Sequence, residues 1–195
     1  MRESIPILVL GVVLAVSTLL FALACDTQSG SQPSAYEPTA TIKDLMDSIV
    51  DPSADVIWES VSQTVDSSGT VDRMPRTDEE WAEVRRAAIR LAEGANLLLI
   101  PGRHVARPHE KSEAPGIELE PEEIEALINN DKLTWTRHTK DFHKLSVEIL
   151  QAIDARDPHK LFELGGPLDK TCENCHVQYW YPNQVLPTAY NHDPR

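Results

Sequence analysis

Between residues 77 and 98 the apolar positions repeat at alternating spacings of three and four. The repeating residues are Trp81, Val84, Ala88, Leu91, Ala95 and Leu98. This is the period of one face of an α-helix that packs against other helices. Thr77 and Glu80 have the spacing of a capping box at the start, and Pro101 predicts the end. The segment is therefore predicted to be a core-facing helix.

A second helical period precedes it, in residues 41–65. Its apolar residues are Ile42, Leu45, Met46, Ile49, Ile57, Val61 and Val65. Pro52 lies near the middle, where its missing N–H and its ring predict an interruption or a kink. Glycine and proline in residues 67–76 predict a turn that ends this helix.

Two more helical segments follow. The third covers residues 121–156, and its Asn-Asn-Asp sequence at 129–131 predicts a break into a short and a long helix. The fourth begins with Pro158 at its first position, passes Gly-Gly-Pro at 165–167 and ends before Pro182. Because proline cannot continue a helix, that last position is a natural end.

The four segments together predict an all-α fold. No segment shows the strict alternation of a β-strand, and we find no internal repeat. Four helices with mostly short connections predict an antiparallel four-helix bundle over residues 39–182. The exception is the connection at residues 101–120, and loops of that length inside a compact domain are usually functional or disordered.

The N-terminal residues 1–24 are mostly apolar and predict a signal peptide or a membrane anchor. Cys25 follows a small residue, as at the bacterial lipoprotein processing site, where the cysteine is lipidated. Residues 25–38 are rich in Ser, Gln and Pro and predict a flexible tether, and residues 183–195 predict a C-terminal tail. We therefore expect the protein to be exported to the periplasmic side of a bacterial membrane and held there by lipid or by an uncleaved N-terminal helix.

The net charge of the chain indicates which classes of partner it can bind. The chain has 18 Lys and Arg against 31 Asp and Glu, which gives a formal charge of −13. Such a chain repels phosphate backbones, so nucleic-acid binding is excluded as a function class. Protein partners with basic docking surfaces are compatible with this charge.

Cys172, Cys175 and His176 form the sequence C-x-x-C-H. At positions i, i+3 and i+4 of a helix they project from one face. Three chemistries use a cysteine pair at this spacing: a zinc site, a redox dithiol and the covalent attachment of haem. C-x-x-C-H is the signature of c-type haem attachment, and it predicts one haem c per chain.

The alternatives fit this sequence less well. A structural zinc site needs four protein ligands, and the sequence has no second cysteine pair. A redox dithiol normally lies at a helix N-terminus after a strand, where the dipole lowers the thiol pKa. A helical lipoprotein that uses the pair for zinc or for thiol redox chemistry is therefore the alternative to a haem protein.

A helical chain whose last helix carries C-x-x-C-H resembles the cytochrome c-prime family, the class II c-type cytochromes. The resemblance covers roughly residues 39–182. It implies a four-helix bundle in the periplasm, haem attached through Cys172 and Cys175, and His176 as the axial iron ligand. Homodimers are common in the family. The aromatic residues in 178–182 replace a basic residue that many members have after the motif.

Function depends on what lies opposite His176. Met46, on the core face of the first helix, is the candidate sixth ligand, since family members with a filled site supply methionine from that helix. His138 is the second candidate, because it shares a helix face with Trp135 and Phe142. A filled position predicts an electron carrier that cycles between Fe(III) and Fe(II), with redox proteins as partners, and an open one predicts a binder of NO or CO. We find no pair of acid and base residues in the sequence that would predict an enzyme.

Overall fold

The structure is a computed structural model, and it describes residues 35–66 and 69–184. The predicted signal segment, Cys25, most of the tether and the tail from residue 185 lie outside these residues. In the described ranges no helix is long and apolar enough to cross a membrane.

The described chain is mostly helical. Its helices are α1 (Ile42–Leu45), α2 (Asp51–Ser60), α3 (Asp78–Leu98), α4 (Pro121–Asn130), α5 (Lys132–Asp154) and α6 (Pro158–Tyr179). A π-helical turn, Met46–Val50, joins α1 to α2. The all-α class predicted from the apolar period is confirmed.

Side-chain caps fix the helix starts where the sequence predicts them. At α3 the Thr77 hydroxyl accepts from the backbone N–H of Glu80, and the Glu80 carboxylate accepts from the backbone N–H of Thr77. Asp131 breaks α4 from α5 and caps α5, since its side chain accepts from the N–H of Thr134. Each cap satisfies backbone donors that have no partner within the first turn of a helix.

The predictions of a helix through residue 65 and of a chain without strands are wrong. Helix α2 ends at Ser60, and an antiparallel hairpin follows, with strands β1 (Ser62–Asp66) and β2 (Gly69–Arg73). The β-branched residues Thr and Val occupy the centre of both strands and favour extended backbone. Gly69 has a φ of 130°, a conformation that glycine adopts without strain.

Pro52 changes the helix before it without ending the helical segment. Because proline has no N–H, the carbonyl of Ser48 lacks its usual partner four residues on. The N–H of Asp51 reaches back five residues, to the carbonyl of Met46. The Ser48 hydroxyl donates to the carbonyl of Asp44. The predicted interruption therefore takes the form of a π turn.

Two apolar clusters form the core. The first joins α2, α3, α5 and α6, and its fully buried members include Ile57, Leu91, Ile149, Leu161 and Leu168. The second joins α1 and α4 to the neighbouring ends of α3, α5 and α6, and includes Ile42, Leu45, Leu98, Ile124, Trp135 and Tyr179. Met46 packs against both clusters, Cys172 against the first and Cys175 against the second.

Backbone hydrogen bonds tie the 101–120 connection to α1. The N–H of Ile42 donates to the carbonyl of His104 at 2.9 Å, and the N–H of Lys43 donates to that of Val105 at 3.0 Å. These are donors that the first turn of α1 cannot pair internally. The Val105 side chain is buried in the second cluster. The long loop is therefore an integral part of this end of the molecule.

Candidate haem site

The last turns of α6 face a small apolar cavity of about 40 Å³. Helix α6 contributes Cys172, Cys175 and His176 to its wall, as the helical spacing predicts. The rest of the wall comes from four other elements, among them α2 through Asp51. Their lining residues include Met46 and Val50 of the π turn, Leu98 of α3, and His138 and Phe142 of α5. The cavity lies where the two apolar clusters meet.

A second, more polar cleft of about 180 Å³ adjoins this cavity. The two share Met46, Asp51, His176 and Trp180. The 101–120 connection supplies much of the cleft wall, including Lys111, Glu113, Glu118 and Leu119. His176 therefore borders both the apolar cavity and the charged residues of the 101–120 connection.

The structure brings together all the described residues that the sequence nominated for the site. Met46 and His138, the two candidate sixth ligands, line the same cavity as the cysteine pair and His176. Cys25, the predicted lipidation residue, lies outside the described residues. Met74 follows the hairpin, is 38% exposed and does not line this cavity. Of the described methionines only Met46 reaches the site.

The two cysteines are free, half-buried thiols. Burial raises the pKa of Cys172 and that of Cys175 to about 12, with nearby negative charges adding to the shift. Both are therefore protonated near neutral pH. Catalytic dithiols have the opposite property, a thiol pKa lowered by a helix N-terminus or a cation. This environment favours a thiol held for covalent attachment over one used in redox exchange.

The two histidines that line the cavity, His176 and His138, are neutral near pH 7. Burial lowers the pKa of His176 below its ordinary value, so its imidazole keeps a lone pair available for a metal. Burial and the charge of Arg137 likewise lower the pKa of His138. With the neutral thioether of Met46, these side chains are the ligand types that haem iron uses in cytochromes. The donors and the apolar wall fit a haem.

Aromatic residues beyond the motif surround His176. The Trp180 ring lies 5.8 Å from the His176 ring, centroid to centroid, and the Tyr181 ring lies 6.1 Å away. Sequence reasoning noted aromatic residues here but assigned them no role. Their spacing could have indicated this contact. Trp180 and Tyr181 are four and five positions after His176, which is little more than one helical turn.

Asp51 is a second residue that sequence reasoning missed. It lines both the cavity and the cleft, and burial raises the pKa of its carboxyl group. In a regular α-helix residues five apart point about 140° from each other. The π turn instead lets Met46 and Asp51 reach the same cavity, and its position is set by Pro52. A projection of the sequence onto a regular α-helix would not place Met46 and Asp51 on the same face.

No protein-family model, curated protein or solved structure matches this chain. The case for a haem protein therefore depends on the C-x-x-C-H residues and on the side chains that surround them.

Proposed function

We propose that this protein is a monohaem c-type cytochrome that carries electrons. The observation that carries the proposal is the shared cavity, in which two protonated thiols, a neutral imidazole and a thioether line one apolar space. A bound haem supplies one-electron cycling between Fe(III) and Fe(II). Cys172 and Cys175 would hold it through thioether bonds, and His176 and Met46 would ligate its iron.

The remaining wall controls the surroundings of the iron. Val50, Leu98 and Phe142 are buried apolar residues that exclude water from the cavity. A dry, apolar shell favours the less charged state of a metal centre and restricts solvent access. These side chains therefore tune the potential without contributing a ligand, and no acid–base role is needed from them.

We propose that the helices form an antiparallel four-helix bundle of the cytochrome c-prime type. Helix α3 packs against α2 and α5, and α6 packs against α5 and α2, so each of the four has two of the others as neighbours. Three residues separate α5 from α6, and two packed helices joined so tightly run antiparallel. Helix α4 is then an addition beside the bundle.

We also propose export and lipid attachment at Cys25, with redox proteins as partners. Covalent attachment of haem through C-x-x-C-H accompanies export in the family that the chain resembles. The acidic balance of −13 favours a partner whose docking surface is basic.

Covalent attachment is the test of the proposal. The protein is expressed with an export signal in a bacterium that matures c-type cytochromes, and its haem content is measured after denaturation and acid–acetone extraction. The wild type should retain one haem per chain, whereas the Cys172→Ser/Cys175→Ser double variant should release all of it. A wild type that carries zinc, or free thiols without haem, would support the lipoprotein alternative.

The polar cleft beside Met46 favours a second candidate, a binder of NO or CO at an open iron position. Carbon monoxide distinguishes the two. If Met46 occupies the position, the spectrum of the reduced wild type should change little on addition of CO, and Met46→Leu should bind CO strongly. Met74→Leu is the matched control and should behave as the wild type. A large CO response that Met46→Leu leaves unaltered would support the gas binder.

A further inference from the structure

The chain beyond α6 folds back over His176. The N–H groups of Trp180 and Tyr181 both donate to the carbonyl of His176, at 2.7 and 3.1 Å. The Trp180 carbonyl accepts from the N–H of Leu119 at 2.8 Å, which ties this segment to the 101–120 connection. The two aromatic rings are thereby fixed against the imidazole of His176 from outside the motif.

Tyr181 also holds a charged residue of the motif. Its hydroxyl lies 2.7 Å from one carboxylate oxygen of Glu173 and 2.9 Å from the other. Glu173 precedes His176 by three residues on α6, and side chains at that spacing are neighbours on a helix. The Glu173 carboxylate is therefore within reach of the His176 ring, and in the described structure it is engaged by Tyr181 instead.

We propose that Tyr181 is a positioning residue for His176, acting in two ways. Its ring, with that of Trp180, restricts rotation of the imidazole. Its hydroxyl keeps the Glu173 carboxylate from accepting a hydrogen bond from the ring N–H of His176. This proposal depends on the proposed function, because it concerns His176 as the axial ligand of a haem.

The consequence is for the reduction potential. A carboxylate that accepts from an axial histidine raises the basicity of that ligand, which stabilises the oxidised metal and lowers the potential. By holding Glu173 away, Tyr181 keeps the axial ligand a neutral imidazole and keeps the potential higher.

A double-mutant cycle on the haem-loaded protein tests this. Tyr181→Phe removes the hydroxyl and keeps the ring, so we expect the midpoint potential to fall. In the Glu173→Gln background the same substitution should leave the potential unchanged, since no carboxylate is released. A role limited to stability would not distinguish these two backgrounds.

Tyr179→Phe is the matched control. It removes a tyrosine hydroxyl at the same end of α6, one that donates to the carbonyl of Asp131 at 3.3 Å, and the Tyr179 ring contacts Trp135 and His138. The potential of this variant should equal that of the wild type, and thermal unfolding of each variant checks its folding.

The outcomes separate the two proposals. If the wild type retains haem and Tyr181→Phe leaves its potential unchanged, or lowers it equally in both backgrounds, the role of Tyr181 is wrong and the cytochrome proposal is unaffected. If the wild type binds no haem, both proposals are wrong.

Discussion

Arg156 ends α5 in the left-handed region of backbone space, with a φ of 51°. The N–H of Arg156 donates to the carbonyl of Ile153, and the N–H of Asp157 donates to that of Ala152. This is the Schellman pattern of a helix C-terminus, in which glycine is preferred at the left-handed position. The guanidinium of Arg156 also pairs with Asp78 at 2.5 Å, across an exposed surface.

We expect Arg156→Gly to stabilise the protein slightly. A left-handed residue with a Cβ costs roughly 1–2 kcal/mol, whereas an exposed ion pair contributes about 0–1 kcal/mol. The free energy gained by removing the backbone strain should therefore exceed the free energy lost with the ion pair. Arg156→Ala is the control, since it loses the pair and keeps the strain, and it should be neutral or destabilising. Urea unfolding measures both, and an Arg156→Gly variant less stable than Arg156→Ala would contradict the expectation.

At the residue scale the shared face of the motif residues was predictable from the sequence, but the contacts of their neighbours were not. Cys172, Cys175 and His176 lie within five positions on one helix, so their shared face follows from helical geometry alone. The contacts of Tyr181 arise beyond the end of α6, where the backbone leaves the helix. No periodic pattern describes that segment, and its position follows from hydrogen bonds to a loop distant in sequence.

At the scale of elements, Asp44 joins the start of α1 to the 101–120 connection. Its carboxylate accepts from the backbone N–H of Thr41 at 3.0 Å and from the Thr41 hydroxyl at 2.9 Å. It also pairs with the guanidinium of Arg107. The hydrogen bonds to Thr41, followed by the charge of Arg107, hold the pKa of Asp44 below its ordinary value.

The sign of the resulting pH dependence is fixed. A lowered pKa in the folded state means that ionised Asp44 stabilises folding, fully above the ordinary aspartate pKa of about 4 and progressively less as pH falls through the folded value. Asp44→Asn should therefore be less stable than the wild type near neutral pH, and the difference should shrink in acid. Urea unfolding between about pH 7 and pH 3 measures it.

The control for this prediction is Asp55→Asn. Asp55 is an exposed residue of α2 whose side chain makes no ion pair or hydrogen bond within the described ranges. Its substitution should leave the pH profile close to that of the wild type. If Asp44→Asn and Asp55→Asn have the same profile, the cap at the start of α1 contributes nothing to stability.

The elements that the sequence mispredicted are those where two patterns overlap. Val61 and Val65 continue the helical spacing from Ile57, yet the same stretch is rich in β-branched residues and forms a hairpin. At Pro52 the sequence predicted an interruption, but the choice between a break and a π turn depends on packing. The π turn packs against α3, which begins 28 residues further along the chain (78 − 50), so the local sequence pattern does not predict it.

At the scale of the whole molecule, the charge of −13 opposes compaction. Raising the salt concentration from about 10 mM to about 150 mM shortens the Debye length from about 30 Å to about 8 Å. Salt also weakens exposed ion pairs, but each contributes only about 0–1 kcal/mol. Reduced repulsion should therefore dominate, and the midpoint of thermal unfolding should rise.

The comparison of sodium chloride with potassium chloride is the control for this experiment. Equal ionic strength should give equal midpoints, because screening does not depend on the identity of the cation. A midpoint that falls with salt would mean that ion pairs such as Arg85–Asp154, at 2.7 Å, outweigh the net charge.

The helical class of the whole molecule was predictable because each apolar face is local. What was not predictable is which faces meet. The cavity combines residues from α2, α3, α5, α6 and the π turn, and the cleft adds the 101–120 connection. An apolar face such as that of α3 indicates that the helix packs in the core, but it does not indicate which helix it packs against.

Met46 and Cys172 line one cavity, and their separation along the chain has a consequence for synthesis. These residues are 126 positions apart (172 − 46) in a chain that the ribosome makes from the N-terminus. The apolar face of the first helical segment therefore emerges long before the helix that covers it. Until translation reaches α6 that face is covered only in part, by α3, so we expect its remaining apolar surface to favour aggregation unless chaperones or rapid translocation protect it.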